Sequence, residues 1–195
     1  MRKQHHLIVR VPIPVDLPPG VLVDALQTHG PLMRHHPLIT KFEERSMSNT
    51  DMASIRADPF LGSDTDLASF TVYQVYEEVP IVPGLLTTKL DFPAFYQNTD
   101  RGIRFRVHTS GGVILWGDIA VVRRDPNVGE GRGGGNLTSA AEPHGDTEWE
   151  LVEECNVEVS ALLLPFVRRS MTRSNENVCR GVIDEVAKTW RASSG

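Results

Sequence analysis

Asp118 is the residue of this sequence with the most suitable surroundings for proton transfer. It lies within the apolar run VILWGDIAVV. A carboxylate facing an apolar cavity has its pKa raised by desolvation and can act as a general acid or base near neutral pH. The alternative is an outward-facing aspartate that pairs with Arg104 or Arg106 of a neighbouring strand. The pattern leaves both open, and Trp116 shares the face of Asp118 because it lies two positions away.

The tyrosines are the next candidates, because a phenol can orient a carbonyl or hydroxyl group of a ligand. Tyr73 and Tyr76 project from opposite faces of one predicted strand, so at most one of them lines a cavity. We take Tyr73 as a second candidate catalytic residue and Tyr96 as a ligand-binding residue. Packing in the core or at its rim is the alternative for each.

The sequence predicts no metal site, cofactor or covalent nucleophile. The pairs His5-His6 and His35-His36 are adjacent in sequence, and adjacent strand residues point to opposite faces. The patterns H-x-x-x-H, C-x-x-C, H-E-x-x-H and G-x-S-x-G are all missing. A literal G-x-G-x-x-G at residues 129–134 meets no predicted helix, so it does not indicate dinucleotide binding. We therefore expect any chemistry to use ordinary side chains alone.

Composition excludes several classes of partner. The 195 residues, 40% of them hydrophobic, suit one domain with a sizeable core. A formal charge of −5 argues against nucleic acid as a partner. No window approaches the ~20 apolar residues of a membrane-spanning helix, and the N-terminus lacks an apolar segment of signal-peptide length. We expect a cytoplasmic protein with reduced cysteines, and the sequence leaves its oligomeric state open.

A long C-terminal helix, from Ser160 to Arg191, organises the predicted fold. Its apolar residues recur at spacings of three, four and seven, which places them on one stripe. Pro165 is harmless if the helix begins at Leu164, but would kink a helix that began at Ala161. The stripe needs a covering partner and consists of Leu164, Val167, Met171, Val178, Val182 and Val186.

The segments upstream of the helix are mainly strands that can cover this stripe. Strands are predicted at residues 3–13, 38–46, 70–79, 85–98, 103–109, 113–124 and 147–159, with two short helices after the first. Two polar segments, residues 48–68 and 125–146, are predicted to be flexible loops. The order indicates one α+β domain, residues 1–195, in which an antiparallel meander curves around the helix.

This order of elements resembles the helix-grip fold of the START-like (SRPBCC) superfamily, which includes birch-pollen allergens, lipid-transfer START domains and polyketide cyclases. Some segments are more similar still to small fungal START-like proteins of unknown function. These segments form turns, caps and a strand–helix junction, so they carry over no catalytic residues. They include Leu17-Pro18-Pro19-Gly20, His36-Pro37-Leu38-Ile39, Tyr76-Glu77-Glu78-Val79 and Trp149-Glu150-Leu151-Val152-Glu153-Glu154-Cys155-Asn156.

The resemblance implies that a hydrophobic small molecule binds in a cavity under the helix. It also implies a cofactor-free cyclase or isomerase of a polyketide-like or terpenoid-like metabolite, as found in secondary metabolism. A non-catalytic lipid or sterol carrier or sensor is the alternative, and a partner-binding module is a third. The predicted lining comprises Leu90, Phe92, Tyr96, Phe105, Val107, Leu115, Trp116, Val167 and Met171.

Overall fold

An antiparallel sheet of seven strands curves around a C-terminal helix in the computed structural model, which describes residues 1–62, 66–82, 86–124, 148–162 and 164–195. The strand order is β1-β7-β6-β5-β4-β3-β2. This architecture confirms the predicted α+β helix-grip class. The strands are β1 (Arg2–Pro12), β2 (Ile39–Arg45), β3 (Phe70–Val82), β4 (Leu86–Thr99), β5 (Gly102–His108), β6 (Ile114–Arg123) and β7 (Trp149–Ser160), and the helices are α1 (Pro19–Leu26), α2 (Gly30–His35), α3 (Asn49–Ala57) and α4 (Leu164–Ser194).

Alternation along the strands gives the sheet an inner face, toward α4, and an outer face. Val107 lies directly opposite Ala94 of β4 and Leu115 of β6, so these three side chains share the inner face. In the next row of the inner face, Tyr96 lies opposite Phe105. The main core joins this face to α4, and its buried members include Leu7, Val9, Ile103, Phe105, Ile119, Val121, Leu151, Cys155, Val178, Val182, Ile183 and Val186.

Helix α4 packs closely over its second half and more loosely over its first. Val182 and Ile183 are 0% and 3% exposed, whereas Val167 and Met171 are only half-buried. The helix begins at Leu164, so Pro165 falls in the first turn, where its missing N–H leaves no helical bond unmade. Of the two alternatives for Pro165, the harmless one is therefore observed.

The prediction of a loop at residues 48–68 was wrong, because α3 lies within it. Ser48 and Asp51 form a capping box in which each side chain accepts a hydrogen bond from the other residue's backbone N–H, at 3.2 and 2.8 Å. The polar composition of the segment obscured this local signal. Helix α3 and the residues after it cover the outer face through a second core of Ile55, Leu61, Phe70, Val72 and Phe95.

The helices and strands do not test three of the predictions, which concern the 125–146 loop, the cytoplasmic location and nucleic acid. The predicted loop at residues 125–146 lies outside the described residues. Across the parts of the chain that the structure covers, every helix is too short or too polar to cross a bilayer. The cytoplasmic location and the exclusion of nucleic acid remain predictions.

Gly181 is the point where α2 docks on α4. A Cβ atom at this position would lie 2.5 Å from Nδ1 and 2.8 Å from Cγ of His35. Nε2 of His35 lies 2.8 Å from a carboxylate oxygen of Glu185, and Arg34 donates to the other oxygen. The missing side chain at Gly181 therefore provides the space that the His35 ring fills.

We expect Gly181→Ala to lower the free energy of unfolding by about 1–2 kcal/mol. The added methyl would overlap the His35 ring at Cγ and Nδ1, where the ring joins the rest of His35 and has little room to move. Alanine is the better helix former by about 1 kcal/mol, so without this overlap the sign would be reversed. Urea unfolding measures the difference. In a His35→Ala background the same replacement should become neutral or stabilising. A gain in stability from Gly181→Ala alone would contradict the close packing.

Candidate functional site

Asp118 lies on the outer face of the sheet, which is the second of the two orientations that the sequence pattern left open. Arg104 faces it directly across the β5–β6 pair and donates from Nε to Oδ1 at 2.9 Å. The Asp118 side chain is 41% exposed. The inner face of β6 carries the odd-numbered residues from Leu115 to Val121, which leaves even-numbered Asp118 outside. The arginine-paired alternative is therefore the observed one.

Trp116 also lies outside, because it shares the face of Asp118, so its expected place in the lining was wrong. The guanidinium of Arg106 lies 4.8 Å from the centre of one of its rings. Nε of the same arginine is 2.7 Å from Oδ2 of Asp58, and both side chains are nearly buried. Asp58 is the residue that ends α3. These contacts join the α3 segment to β5 and β6, and they account for Trp116 without a ligand.

The other predicted lining residues of the sheet all share the inner face. Phe92 and Phe105 are buried in the core, whereas Leu90, Val107 and Leu115 are half-buried. Val107 and Leu115 pack against the main core, as does Met171 of α4. Packing therefore loosens toward Leu115 along β6 and toward the N-terminus along α4.

Two surface depressions have volumes of about 360 and 310 Å³. The first lies between α1 and the inner face near Trp149, and the second crosses β2, β3 and β4 beside Tyr76. Neither has a lining residue from α4. These depressions are therefore separate from the loosely packed end of the main core.

Tyr73 lies on the inner face with its hydroxyl beside the imidazole of His29. Nδ1 of His29 is 3.4 Å from that hydroxyl, and Nε2 is 2.9 Å from Oδ1 of Asn98. Because an amide oxygen only accepts, Nε2 carries the proton and Nδ1 accepts from Tyr73. Burial lowers the pKa of His29 and raises the pKa of Tyr73. The arrangement leaves a neutral imidazole that accepts a hydrogen bond from the Tyr73 hydroxyl.

His29 is held in a strained conformation between α1 and α2. Its φ of 60° lies in the left-handed region, which few residues other than glycine adopt. Its ring is 3% exposed and stacks on Tyr96 with ring centres 4.9 Å apart. Such strain persists where the surroundings fix it, and it clusters at functional sites. His29 was not predicted from the sequence. It lies between two helices, where no apolar periodicity shows which way a side chain points.

Glu77 and His36 form a second polar pair, on the inner side of β3. Glu77 lies directly opposite Leu90 of β4 and Ile39 of β2. Oε1 of Glu77 is 3.8 Å from Nδ1 of His36, and 13% of the Glu77 side chain is exposed. Burial raises the pKa of Glu77 to about 7 and lowers the pKa of His36 to about 4. Near neutral pH the imidazole is therefore uncharged and the carboxyl titrates.

Glu153 is a third buried titratable group, between β7 and α4. Nδ2 of Asn175 donates to its Oε1 at 2.8 Å, and Sγ of Cys179 lies 3.5 Å from Oε2. Burial raises the pKa of Glu153 to about 7 in spite of these contacts. Glu153 was not predicted from the sequence, although its alternation with Leu151 and Cys155 places it on the apolar face of β7.

The Tyr96 phenol is a further titratable group of the inner face, and the charges of these acids affect its pKa. Burial is the main cause that raises the pKa of Tyr96, and the charges of Tyr73, Glu77 and Glu153 raise it further. In the described ranges, no group of three or more His, Cys, Asp or Glu is arranged to hold a metal ion. What the inner face does offer is proton donors and acceptors in apolar surroundings, which is what general acid–base chemistry requires.

The fold is similar to those of several solved structures. The Zhui aromatase/cyclase from Streptomyces sp. R1128 is 11% identical with a TM-score of 0.59, and the alignment covers 100% of this chain and 99% of that one. The di-domain ARO/CYC BexL from the BE-7585A biosynthetic pathway is 11% identical with a TM-score of 0.55, covering 93% and 49%. TTHA0849 from Thermus thermophilus is 11% identical with a TM-score of 0.53, covering 96% and 99%. At such identities the likeness establishes the fold alone.

Sequence comparison gives the family. No curated protein sequence matches the chain. The similarity to small fungal START-like proteins remains a prediction. Residues 2–188 match a family described as Domain of unknown function (DUF7053). The chain therefore belongs to the DUF7053 family, here with a helix-grip fold.

Proposed function

We propose that this protein binds a hydrophobic small molecule between the inner face of the sheet and the first half of α4. The observation that carries the proposal is the difference in packing along α4. Val182 is 0% exposed, whereas Met171, on the same stripe, is half-buried. Leu115 and Val107 of the inner face are half-buried in the same way. Half-buried apolar side chains that pack against the core without being fully covered provide surface for an apolar ligand.

The expected affinity is modest. Burial of ~200 Å² of apolar ligand surface at about 25 cal/mol per Å² contributes roughly 5 kcal/mol before the costs of association are subtracted. Polar groups of the inner face would then orient the ligand and add little to the strength of binding.

The favoured activity is that of a cofactor-free cyclase or isomerase acting on a polyketide-like or terpenoid-like metabolite. Apolar walls would hold a flexible substrate in a reactive shape, which lowers the entropy cost of ring closure. The hydroxyl of Tyr73 would accept a hydrogen bond from a hydroxyl or enol of the substrate and orient it, because its own proton is directed at Nδ1 of His29. The aromatase/cyclases of similar fold support this choice of reaction class.

A non-catalytic carrier or sensor of lipids or sterols is the second candidate. The outward position of Asp118 removes one candidate acid from the inner face, and a carrier needs only an apolar cavity. Once a substrate is known, Tyr73→Phe separates the two. Turnover that falls far more than binding supports the enzyme, and unchanged binding and transport support the carrier. Asp118→Asn should change neither.

Binding itself can be tested with the neutral apolar dye Nile red. We expect saturable binding of one dye per chain, unaffected by metal chelators. Leu115→Trp fills the space beneath α4 and should weaken binding about tenfold or more, as expected when a pocket that desolvates an apolar ligand is occupied. Fluorescence titration measures the affinity, and thermal melting checks that each variant is folded.

Ile114→Trp is the matched control for this experiment. Ile114 precedes Leu115 on β6, is also half-buried, and lies on the outer face opposite His108 and Glu158. Its replacement should leave dye binding unchanged. Unsaturable dye binding by the wild-type protein, or equal weakening by both tryptophans, would rule out a site beneath α4. A partner-binding role would then become the better explanation.

A further inference from the structure

Nδ1 of His36 is a buried polar atom that lacks a hydrogen-bond partner among the described residues. Oε1 of Glu77 lies 3.8 Å from it, which is beyond hydrogen-bonding distance. Nearly all buried polar atoms in native proteins are paired, because an unpaired one costs free energy. The pair of Glu77 and His36 therefore needs an explanation that its own contacts do not supply.

The basic side chains on the strands beside this pair are already paired with other acids. Tyr96 of β4 lies close enough to feel the charge of Glu77. Leu90 and Ile39 flank Glu77 on the neighbouring strands. The lysines of those strands make their ion pairs with other acids, Lys89 with Glu78 at 3.3 Å and Lys41 with Glu43 at 2.8 Å. A ligand carboxylate would accordingly meet no opposite charge at this position.

The chemistry that satisfies both atoms is that of a hydroxyl group. A hydroxyl can donate to Nδ1 of the neutral imidazole, and its oxygen can accept from the protonated carboxyl of Glu77. A hydrocarbon would leave both atoms unpaired. We infer that Glu77 and His36 anchor a hydroxyl group of an otherwise apolar ligand. The inference rests on the proposed function and narrows its ligand to apolar alcohols, enols and phenols.

Two probes of nearly equal size test the inference, 2-naphthol and 2-methylnaphthalene. We expect the wild-type protein at pH 6 to bind 2-naphthol about tenfold more tightly, the difference made by hydrogen bonds to buried partners. In Glu77→Met and in His36→Phe this preference should disappear while the affinity for 2-methylnaphthalene is kept. Glu78→Met is the control, because Glu78 is the next residue of β3 and pairs with Lys89.

Glu77 and His36 are 3.8 Å apart, so neither variant breaks a hydrogen bond between them, and both variants should fold. Equal affinity of the wild-type protein for the two probes would overturn the inference. A water molecule between Glu77 and His36 would then be the better explanation of the unpaired Nδ1 atom. An unchanged preference in both variants would overturn it as well. If neither probe binds, the proposed function fails and the inference fails with it. If 2-methylnaphthalene binds without a preference for 2-naphthol, the inference alone fails.

Discussion

Val178→Asp is expected to abolish cooperative folding. Val178 is 6% exposed and belongs to the core that joins α4 to the inner face of the sheet. A carboxylate at this position would be buried among the apolar side chains of that core, which costs on the order of 3–5 kcal/mol. The whole free energy of unfolding of a domain is about 5–15 kcal/mol. The cost of the buried carboxylate is therefore comparable to the entire stability of a domain at the lower end of that range. Circular dichroism during thermal or urea unfolding measures the effect.

Thr172→Asp provides the matched control for that experiment. Thr172 is an exposed residue of the same helix, so its replacement adds the same carboxylate in contact with water. Its melting should stay close to that of the wild-type protein. A Val178→Asp protein that is soluble and melts cooperatively at nearly the wild-type temperature would contradict the packing of α4 against the sheet.

Glu153→Gln is expected to stabilise the protein at alkaline pH. Burial raises the pKa of Glu153 from its ordinary 4.5 to about 7 in the folded state, which favours the uncharged acid there. The stability that this acid contributes is complete below pH 4.5, and it is lost as the pH rises to about 7, because the unfolded chain ionises first. At about 1.4 kcal/mol per pH unit, the loss approaches 3 kcal/mol.

A glutamine at this position does not ionise and keeps an oxygen that accepts from Asn175. The variant should therefore match the wild-type protein at pH 4.5 and be more stable at pH 8 by up to about 3 kcal/mol. Urea unfolding at several pH values measures both. Glu154→Gln is the control, since Glu154 is the next residue and its side chain is 59% exposed. Parallel stability curves for the wild-type protein and Glu153→Gln would contradict a neutral buried acid.

The fold was predictable because apolar periodicity is a local property. The strands repeat every two residues and α4 repeats at helical spacing, so the sequence alone gives the elements and their order. Helix α3 was missed, because its buried residues are few and its segment is otherwise polar. Its capping box, Ser48 to Asp51, was the one local signal of a helix.

The polar groups of the site were less predictable, because alternation tells which residues share a face but not which face is covered. Asp118 and Trp116 were correctly placed on one face, but the sequence left that face open, and only the register with Arg104 places both outside. Glu153 could have been found from its apolar neighbours on β7. His29 and His36 could not, because they lie in connections and approach β3 only through the packing of α2.

The pairing of β1 with β7 has a consequence for synthesis on the ribosome. Strands β2 to β6 each pair with the next strand along the chain, so that meander can assemble as it emerges. Strand β1 is made before the other six, but its partner β7 is the last of the seven, with Arg2 opposite Ser160 and Pro12 opposite Glu150. Its apolar residues Leu7, Val9 and Val11 therefore stay uncovered until β7 has been made. We expect nascent chains that end before β7 to recruit chaperones through this first strand.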